Sequence, residues 1–96
     1  MRRVVFTAEA EAQLDAKLAY LAEQGATTAA ARLAERVLDF LTLTLADYPA
    51  TGKTVTRRGL RESWIPGTSL VVWYTFDDKT MTIVTVWHTY QDRFGP

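Results

Sequence analysis

The stretch that decides the fold covers residues 59–93 and opens with Gly59-Leu60-Arg61-Glu62-Ser63-Trp64-Ile65. It continues through two mostly apolar runs, Leu70 to Phe76 and Met81 to His88, and closes on His88-Thr89-Tyr90-Gln91-Asp92-Arg93. β-Branched and aromatic residues dominate the apolar runs, as they do in strands. The stretch therefore predicts a basic loop followed by three β-strands, with a cluster of polar side chains at the end of the last strand.

Turn signals mark the boundaries of these strands. Pro66-Gly67 and Asp77-Asp78-Lys79 are typical turn sequences, and they separate three predicted strands, Leu60–Ile65, Leu70–Phe76 and Thr80–His88. In the last strand the apolar residues do not alternate cleanly, which indicates that both faces of the sheet are partly covered. Consecutive strands joined by short turns predict an antiparallel sheet.

A short strand and two amphipathic helices precede this sheet. Val4 to Phe6 predict the strand, and Thr7 is placed to cap a helix over about residues 8–24, which Gly25 ends. Thr27 or Thr28 would cap a second helix that ends at Tyr48-Pro49, because proline disfavours helical geometry in the residue before it. The stripes predicted to face the core are Ala10, Leu14, Leu18 and Leu21, then Leu33, Val37, Phe40, Leu41, Thr44 and Leu45. We predict an α+β fold with an antiparallel helix hairpin packed on a small, mainly antiparallel sheet.

Length and composition exclude several classes of protein. The 96 residues predict one domain over residues 1–96. The chain has no cysteine and one histidine, so we expect no disulfide, no metal site and no cofactor. Its apolar start is shorter than the core of a signal peptide, and no run approaches the roughly 18 apolar residues of a membrane span. We expect a cytoplasmic protein with no membrane partner.

Charge is distributed unevenly although the formal net charge is zero. A neutral chain is a poor candidate for non-specific binding to nucleic acid, because that binding depends on many Lys and Arg contacts to phosphate. The segment predicted to face a partner or polyanion carries Lys53, Arg57, Arg58 and Arg61, whereas residues 8–24 are acidic.

The order strand, helix, helix, strand, strand, strand resembles the RelE/ParE superfamily, the toxins of bacterial type II toxin–antitoxin systems. The resemblance covers essentially the whole chain. Five pieces carry it in order: Val5-Phe6-Thr7-Ala8-Glu9-Ala10, Tyr48-Pro49 with Gly52, Gly59-Leu60-Arg61-Glu62, Val72-Trp73-Tyr74, and Val86-Trp87-His88 followed by Gln91-Asp92-Arg93. It implies a cognate antitoxin that covers an apolar groove between the sheet and the helix hairpin, in a toxin–antitoxin hetero-oligomer.

The resemblance leaves two activities open. RelE-like members cut messenger RNA on the ribosome, and many carry an arginine two or three residues before the strand tyrosine, where this chain has Val71 and Val72. ParE-like members inhibit DNA gyrase. They commonly have an apolar residue at that position and finish with a histidine and an Asp-containing tail, so this chain resembles them better. We therefore favour a gyrase inhibitor that is not an enzyme. The alternatives are a ribosome-dependent endoribonuclease and an inactive family member that only binds the antitoxin.

Each activity assigns different residues. A ribonuclease would use Arg61, His88, Tyr90 and Arg93 to hold the phosphate and transfer protons. A gyrase inhibitor would contact its target through Lys53, Arg57, Arg58, Arg61 and Arg93.

Structural roles compete with each of these assignments. A lone histidine at a strand end is commonly a hydrogen-bonded structural residue, Arg61 can pair with Glu62, and the run from Lys53 to Arg58 can be a solvated loop that protects a sheet edge.

Overall fold

The computed structural model describes residues 2–55 and 59–89, and within them a five-stranded sheet carries two helices. The sheet order is β1-β5-β4-β3-β2; β1 runs parallel to β5, and the other neighbours are antiparallel. The α+β fold with a mainly antiparallel sheet is confirmed. The elements in chain order are β1 (Arg3–Phe6), α1 (Ala8–Glu23), α2 (Thr27–Asp39), a π-helical stretch (Phe40–Leu45), a 3-10 turn (Pro49–Thr51), β2 (Lys53–Thr54), β3 (Arg61–Trp64), β4 (Leu70–Phe76) and β5 (Thr80–His88).

Both predicted ends of α1 are confirmed. The hydroxyl of Thr7 accepts a hydrogen bond from the backbone N–H of Ala10 at 3.1 Å, which caps the helix. The same hydroxyl donates to the carbonyl of Val84 at 3.1 Å and so ties the start of α1 to β5. After the helix, Gly25 has φ +80°, a conformation that glycine adopts without steric cost.

The predicted cap of α2 is wrong. The N-cap residue is Ala26, which has no side chain able to accept a hydrogen bond, and Thr27 is already helical. The far end also differs from the prediction, because α-helical geometry stops at Asp39 and the chain continues to Leu45 as a π-helix. There the N–H of Ala46 donates to the carbonyl of Leu41, five residues earlier, at 2.9 Å.

The π-helical stretch changes which residues of the second helix are buried. Val37, Leu41 and Leu45 are buried as predicted. In the wider π turn, the residue three positions after Leu41 rotates farther from the buried side than it would in an α-helix. Thr44, which the sequence placed in the core stripe, is therefore exposed.

The core lies between the helices and one face of the sheet. Alternate residues of β4 point into it, and α1 packs against both α2 and β5. Strands β4 and β5 contribute Leu70, Val72, Tyr74, Met81, Ile83 and Val86, and the helical segment contributes Ala10, Leu14, Val37, Leu41, Leu45 and Ala46.

A β-bulge explains the irregular pattern of β5. Trp73 pairs with Thr85, but the next residue, Tyr74, pairs with Ile83, so Val84 is an extra residue on β5. The bulge reverses the alternation, which places Ile83 on the helix-facing side before it and Val86 on that side after it. The prediction that both faces of this strand are partly covered is confirmed, since Trp87 is also buried but lies on the opposite face.

Strand β2 corrects the interpretation of Lys53–Thr54 as part of a solvated loop. The two residues pair with β3, Lys53 opposite Glu62 and Thr54 opposite Arg61. The strand is exposed and buries no apolar side chain, so only backbone pairing defines it and the residue pattern carried no signal. A short, charged edge strand of this kind still discourages pairing with other chains.

Tyr74 fastens the segment before β2 to the centre of the sheet. Its side chain is fully buried, and its hydroxyl donates to the carbonyl of Pro49 at 2.5 Å. A Cβ atom at Gly52 would collide with that hydroxyl, so the backbone of Gly52 approaches the ring more closely than any other residue would allow. Burial raises the pKa of Tyr74, which favours the protonated form of the hydroxyl.

We predict that Gly52→Ala and Tyr74→Phe are coupled. Each alone is expected to lower the free energy of unfolding by about 1–3 kcal/mol, through overpacking and through loss of the buried hydrogen bond respectively. Because Tyr74→Phe removes the atom that the new methyl group meets first, Gly52→Ala should cost less when it is combined with Tyr74→Phe than when it is made alone. Urea unfolding of the four proteins measures this difference, and strictly additive losses would contradict the contact.

Candidate functional site

Arg61 is held by the protein's own backbone. Its guanidinium Nη1 donates to the carbonyl of Gly52 at 2.7 Å and to that of Ala50 at 3.2 Å. The guanidinium carbon also lies 5.9 Å from the centre of the Phe76 ring, within the range of a cation–π contact. The side chain therefore stabilises the segment that leads into β2.

Glu62 is not the partner of Arg61, which corrects the simplest structural interpretation of the sequence. Neighbouring residues of a strand point to opposite faces, so the two side chains diverge. Glu62 instead accepts a hydrogen bond from the indole Nε1 of Trp73 at 2.8 Å, on the sheet face away from the helices.

The described members of the predicted ribonuclease set do not converge. Arg61 pairs with Tyr74 and His88 pairs with Leu70, so they lie four residues apart along β4. At about 3.3 Å per residue this separates them by roughly 13 Å along the strand, before the width of the sheet is added. Arg61 also points toward the carbonyls of Ala50 and Gly52, so the two side chains do not meet in this arrangement. Tyr90 and Arg93 lie outside the described residues.

The predicted basic contact segment is only partly described. Lys53 is exposed on β2, directly across from Glu62. Arg57 and Arg58 lie outside the described residues, as does Arg93.

The sequence did not single out the residues that line a groove of about 860 Å³, although the resemblance implied an apolar groove between the sheet and the helix hairpin. It lies between the two helices, the turn from β3 to β4, and the end of β5. Its lining residues are Ala16, Lys17, Tyr20, Leu21, Thr28, Ala29, Arg32, Leu33, Arg36, Gly67, Thr68, Ser69, Leu70 and His88. We refer to these residues as the helix–sheet groove.

The helix–sheet groove has an apolar floor and a basic rim. Lys17, Arg32, Arg36 and His88 line it, whereas no aspartate or glutamate is among its lining residues. Partial burial lowers the pKa of Lys17, because desolvation disfavours the charged form. The spacing of Arg32 and Arg36, one helical turn apart, was the available sequence signal, but their separation from Lys17 and His88 in the sequence concealed the cluster.

Arg36 also shapes the groove. A Cβ atom at Gly67 would collide with its guanidinium, so the arginine lies directly against the turn between β3 and β4. Gly67 has φ +80°, which this turn requires. The second helix and the sheet are thereby in contact at the groove's end.

Residues 2–55 and 59–89 contain no group of three His, Asp or Glu side chains that could hold a metal ion. No helix described there is long and apolar enough to cross a membrane.

A family model decides the relationship. Residues 4–93 match the ParE toxin of the type II toxin–antitoxin system parDE. The chain belongs to the ParE toxin family. It is a member of a type II toxin–antitoxin family, as the resemblance of the five sequence pieces implied.

Structural comparison supports the same fold for this ParE-family chain. A chain from the chromosomal ParDE TA system of P. aeruginosa superposes with a TM-score of 0.75 at 16% sequence identity, over 92% of this chain and 96% of that one. At this identity the match concerns the fold. No curated protein matches the chain significantly.

We predict that Arg61 contributes to stability. Arg61→Ala should lower the free energy of unfolding by about 1–3 kcal/mol, because two backbone carbonyls lose a charged donor. Lys53→Ala, an exposed charge removal on the neighbouring strand, should change it by no more than about 0.5 kcal/mol. Denaturant unfolding tests the pair, and equal stability of both variants would contradict the structural role of Arg61.

Proposed function

We propose that this ParE-family chain inhibits DNA gyrase and is neutralised by a cognate antitoxin that occupies the helix–sheet groove. The observation that carries the choice of gyrase is the separation of Arg61 from His88 along β4. An RNA-cleaving site needs a charge stabiliser and a proton-transfer group around one phosphate. Here Arg61, the candidate charge stabiliser, donates to the carbonyls of Ala50 and Gly52. His88, the candidate for proton transfer, lines the helix–sheet groove.

The residues two and three positions before Tyr74 support the same choice. Val71 and Val72, where many RelE-like enzymes carry arginine, are both buried. Neither can contact a phosphate, and an arginine at the core-facing Val72 position would have to bury its charge. The formal net charge of zero also suits a protein target better than bulk RNA.

The groove suits an antitoxin segment that is apolar on one side and acidic on the other. Leu21, Leu33 and Leu70 form a surface that an amphipathic helix or extended segment can cover. The basic rim of Lys17, Arg32 and Arg36 would attract carboxylates, and no acidic lining residue opposes them.

Purified protein, freed from its antitoxin, should inhibit supercoiling by gyrase or accumulate cleaved DNA when ATP and plasmid are present. Addition of the antitoxin should restore supercoiling by gyrase. Transcripts from cells arrested by the protein should remain intact. New transcript ends within codons, together with unaffected gyrase, would overturn the proposal in favour of an endoribonuclease, and harmless expression without an antitoxin would indicate an inactive binding module.

Charge reversal in the groove tests the antitoxin site separately. Arg32→Glu should weaken antitoxin binding by about tenfold or more at low salt and by less at high salt, because the attraction is partly exposed to solvent. Lys79→Glu makes the same change in the exposed turn between β4 and β5, outside the groove, and should have little effect. Isothermal titration calorimetry measures both variants. Equal affinities would place the antitoxin elsewhere.

A further inference from the structure

All three tryptophans of the chain lie on the sheet face that the helices do not cover. Trp73 pairs across the sheet with Glu62 and Thr85, and Val71 pairs with Trp64 and Trp87. Residues directly opposite each other share a face, and Val71 and Trp73 share one because they are two residues apart. We call Trp64, Val71, Trp73 and Trp87 the tryptophan face. Val71 and Trp87 are buried in it, Trp73 is half-buried and Trp64 is exposed.

The tryptophan face is ordered by its own contacts. The rings of Trp73 and Trp87 meet edge to face with centroids 6.1 Å apart. The indole Nε1 of Trp73 donates to Glu62 at 2.8 Å, and that of Trp64 donates to the carbonyl of Thr68 at 2.7 Å. Trp64 nevertheless leaves 55% of its surface exposed. A rigid, exposed tryptophan of this kind is the residue type that dominates the binding energy of protein interfaces.

One polar atom on this face lacks a partner within the described chain. The Nε1 of Trp87 is buried and donates no hydrogen bond there, although a buried indole N–H normally finds an acceptor. Side-chain rotations are common when interfaces form. Once the ring of Trp87 rotates toward a docked segment, a carbonyl or carboxylate oxygen of that segment would satisfy this donor.

The charges around the tryptophan face favour a protein as its occupant. The carboxylate of Glu62 lies beside Trp73, and it is directly opposite the cation of Lys53. Arg3 is a second cation on the described part of this face, but it lies on β1, at the sheet edge opposite β2. A nucleic-acid strand needs a positive track for its phosphates beside the stacking rings, and the carboxylate of Glu62 interrupts that track here.

We infer that this chain binds gyrase with its tryptophan face. The gyrase segment that docks there would be apolar and would supply an acceptor oxygen near Trp87. The inference rests on the proposed gyrase inhibition and gives it a contact surface. It moves the principal target contact from the basic residues 53–61 to the aromatic side chains.

The test compares two exposed aromatic residues, only one of which belongs to the tryptophan face. Trp64→Glu places a charge in the tryptophan face, and Tyr48→Glu makes a matched change after the second helix, where Tyr48 is 66% exposed and lies outside the helix–sheet groove. Trp64→Glu should weaken binding to purified gyrase by roughly 30-fold or more, the effect of removing a hot-spot residue, whereas Tyr48→Glu should bind as the wild type does. Trp64→Phe should lose less affinity than Trp64→Glu. Unchanged unfolding midpoints confirm that each variant folds.

The outcomes separate this inference from the proposed function. If the wild type and Trp64→Glu bind and inhibit gyrase equally, the inference fails and gyrase inhibition stands. If the wild type neither binds nor inhibits gyrase, both fail. Salt-dependent binding of a single-stranded oligonucleotide that Trp64→Glu abolishes would mark the face as a nucleic-acid platform and also overturn the inference.

Discussion

The two-residue alternation of β4 is the constraint on which the rest of the structure depends. Leu70, Val72 and Tyr74 point into the core under the helices, so Val71 and Trp73 must point the other way. The same strand pairs with Arg61 near one end and with His88 at the other. A slip of one residue would turn the core side chains out toward solvent, so the register is strongly specified. The register thereby places Arg61 and His88 four residues apart along β4.

Local signals predicted most of the fold. The strands Leu70–Phe76 and Thr80–His88, the cap at Thr7 and the end of α1 at Gly25 follow from side-chain chemistry and appear as predicted. The sequence predictions fail where backbone geometry and pairing, rather than side-chain chemistry, determine the structure. The π-helical stretch at Phe40–Leu45 and the pairing of β2 leave little trace in the residue pattern, and α2 begins at Ala26 without the side-chain cap that two neighbouring threonines suggested.

The candidate sites were harder to predict than the fold, because they depend on contacts between distant segments. Arg61 was recognised as important, but its commitment to the carbonyls of Ala50 and Gly52 depends on where that segment folds. The basic rim of the groove brings together Lys17, Arg32 and Arg36, with His88 also lining the groove. The turn after β3 connects the groove to the tryptophan face, since Thr68 lines the groove and accepts the hydrogen bond from Trp64. An antitoxin segment that crosses this turn would cover Trp64 and compete with the target.

Hydroxyl-radical footprinting of the chain bound to gyrase tests most directly the proposed binding of gyrase on the sheet face that the helices leave uncovered. Trp64 and Tyr20 are aromatic, lie on the tryptophan face and in the groove respectively, and are similarly exposed, at 55% and 61%. Gyrase is expected to protect Trp64 from oxidation while Tyr20 reacts as in the free protein. Protection of Tyr20 with Trp64 still oxidised at its free rate would contradict it.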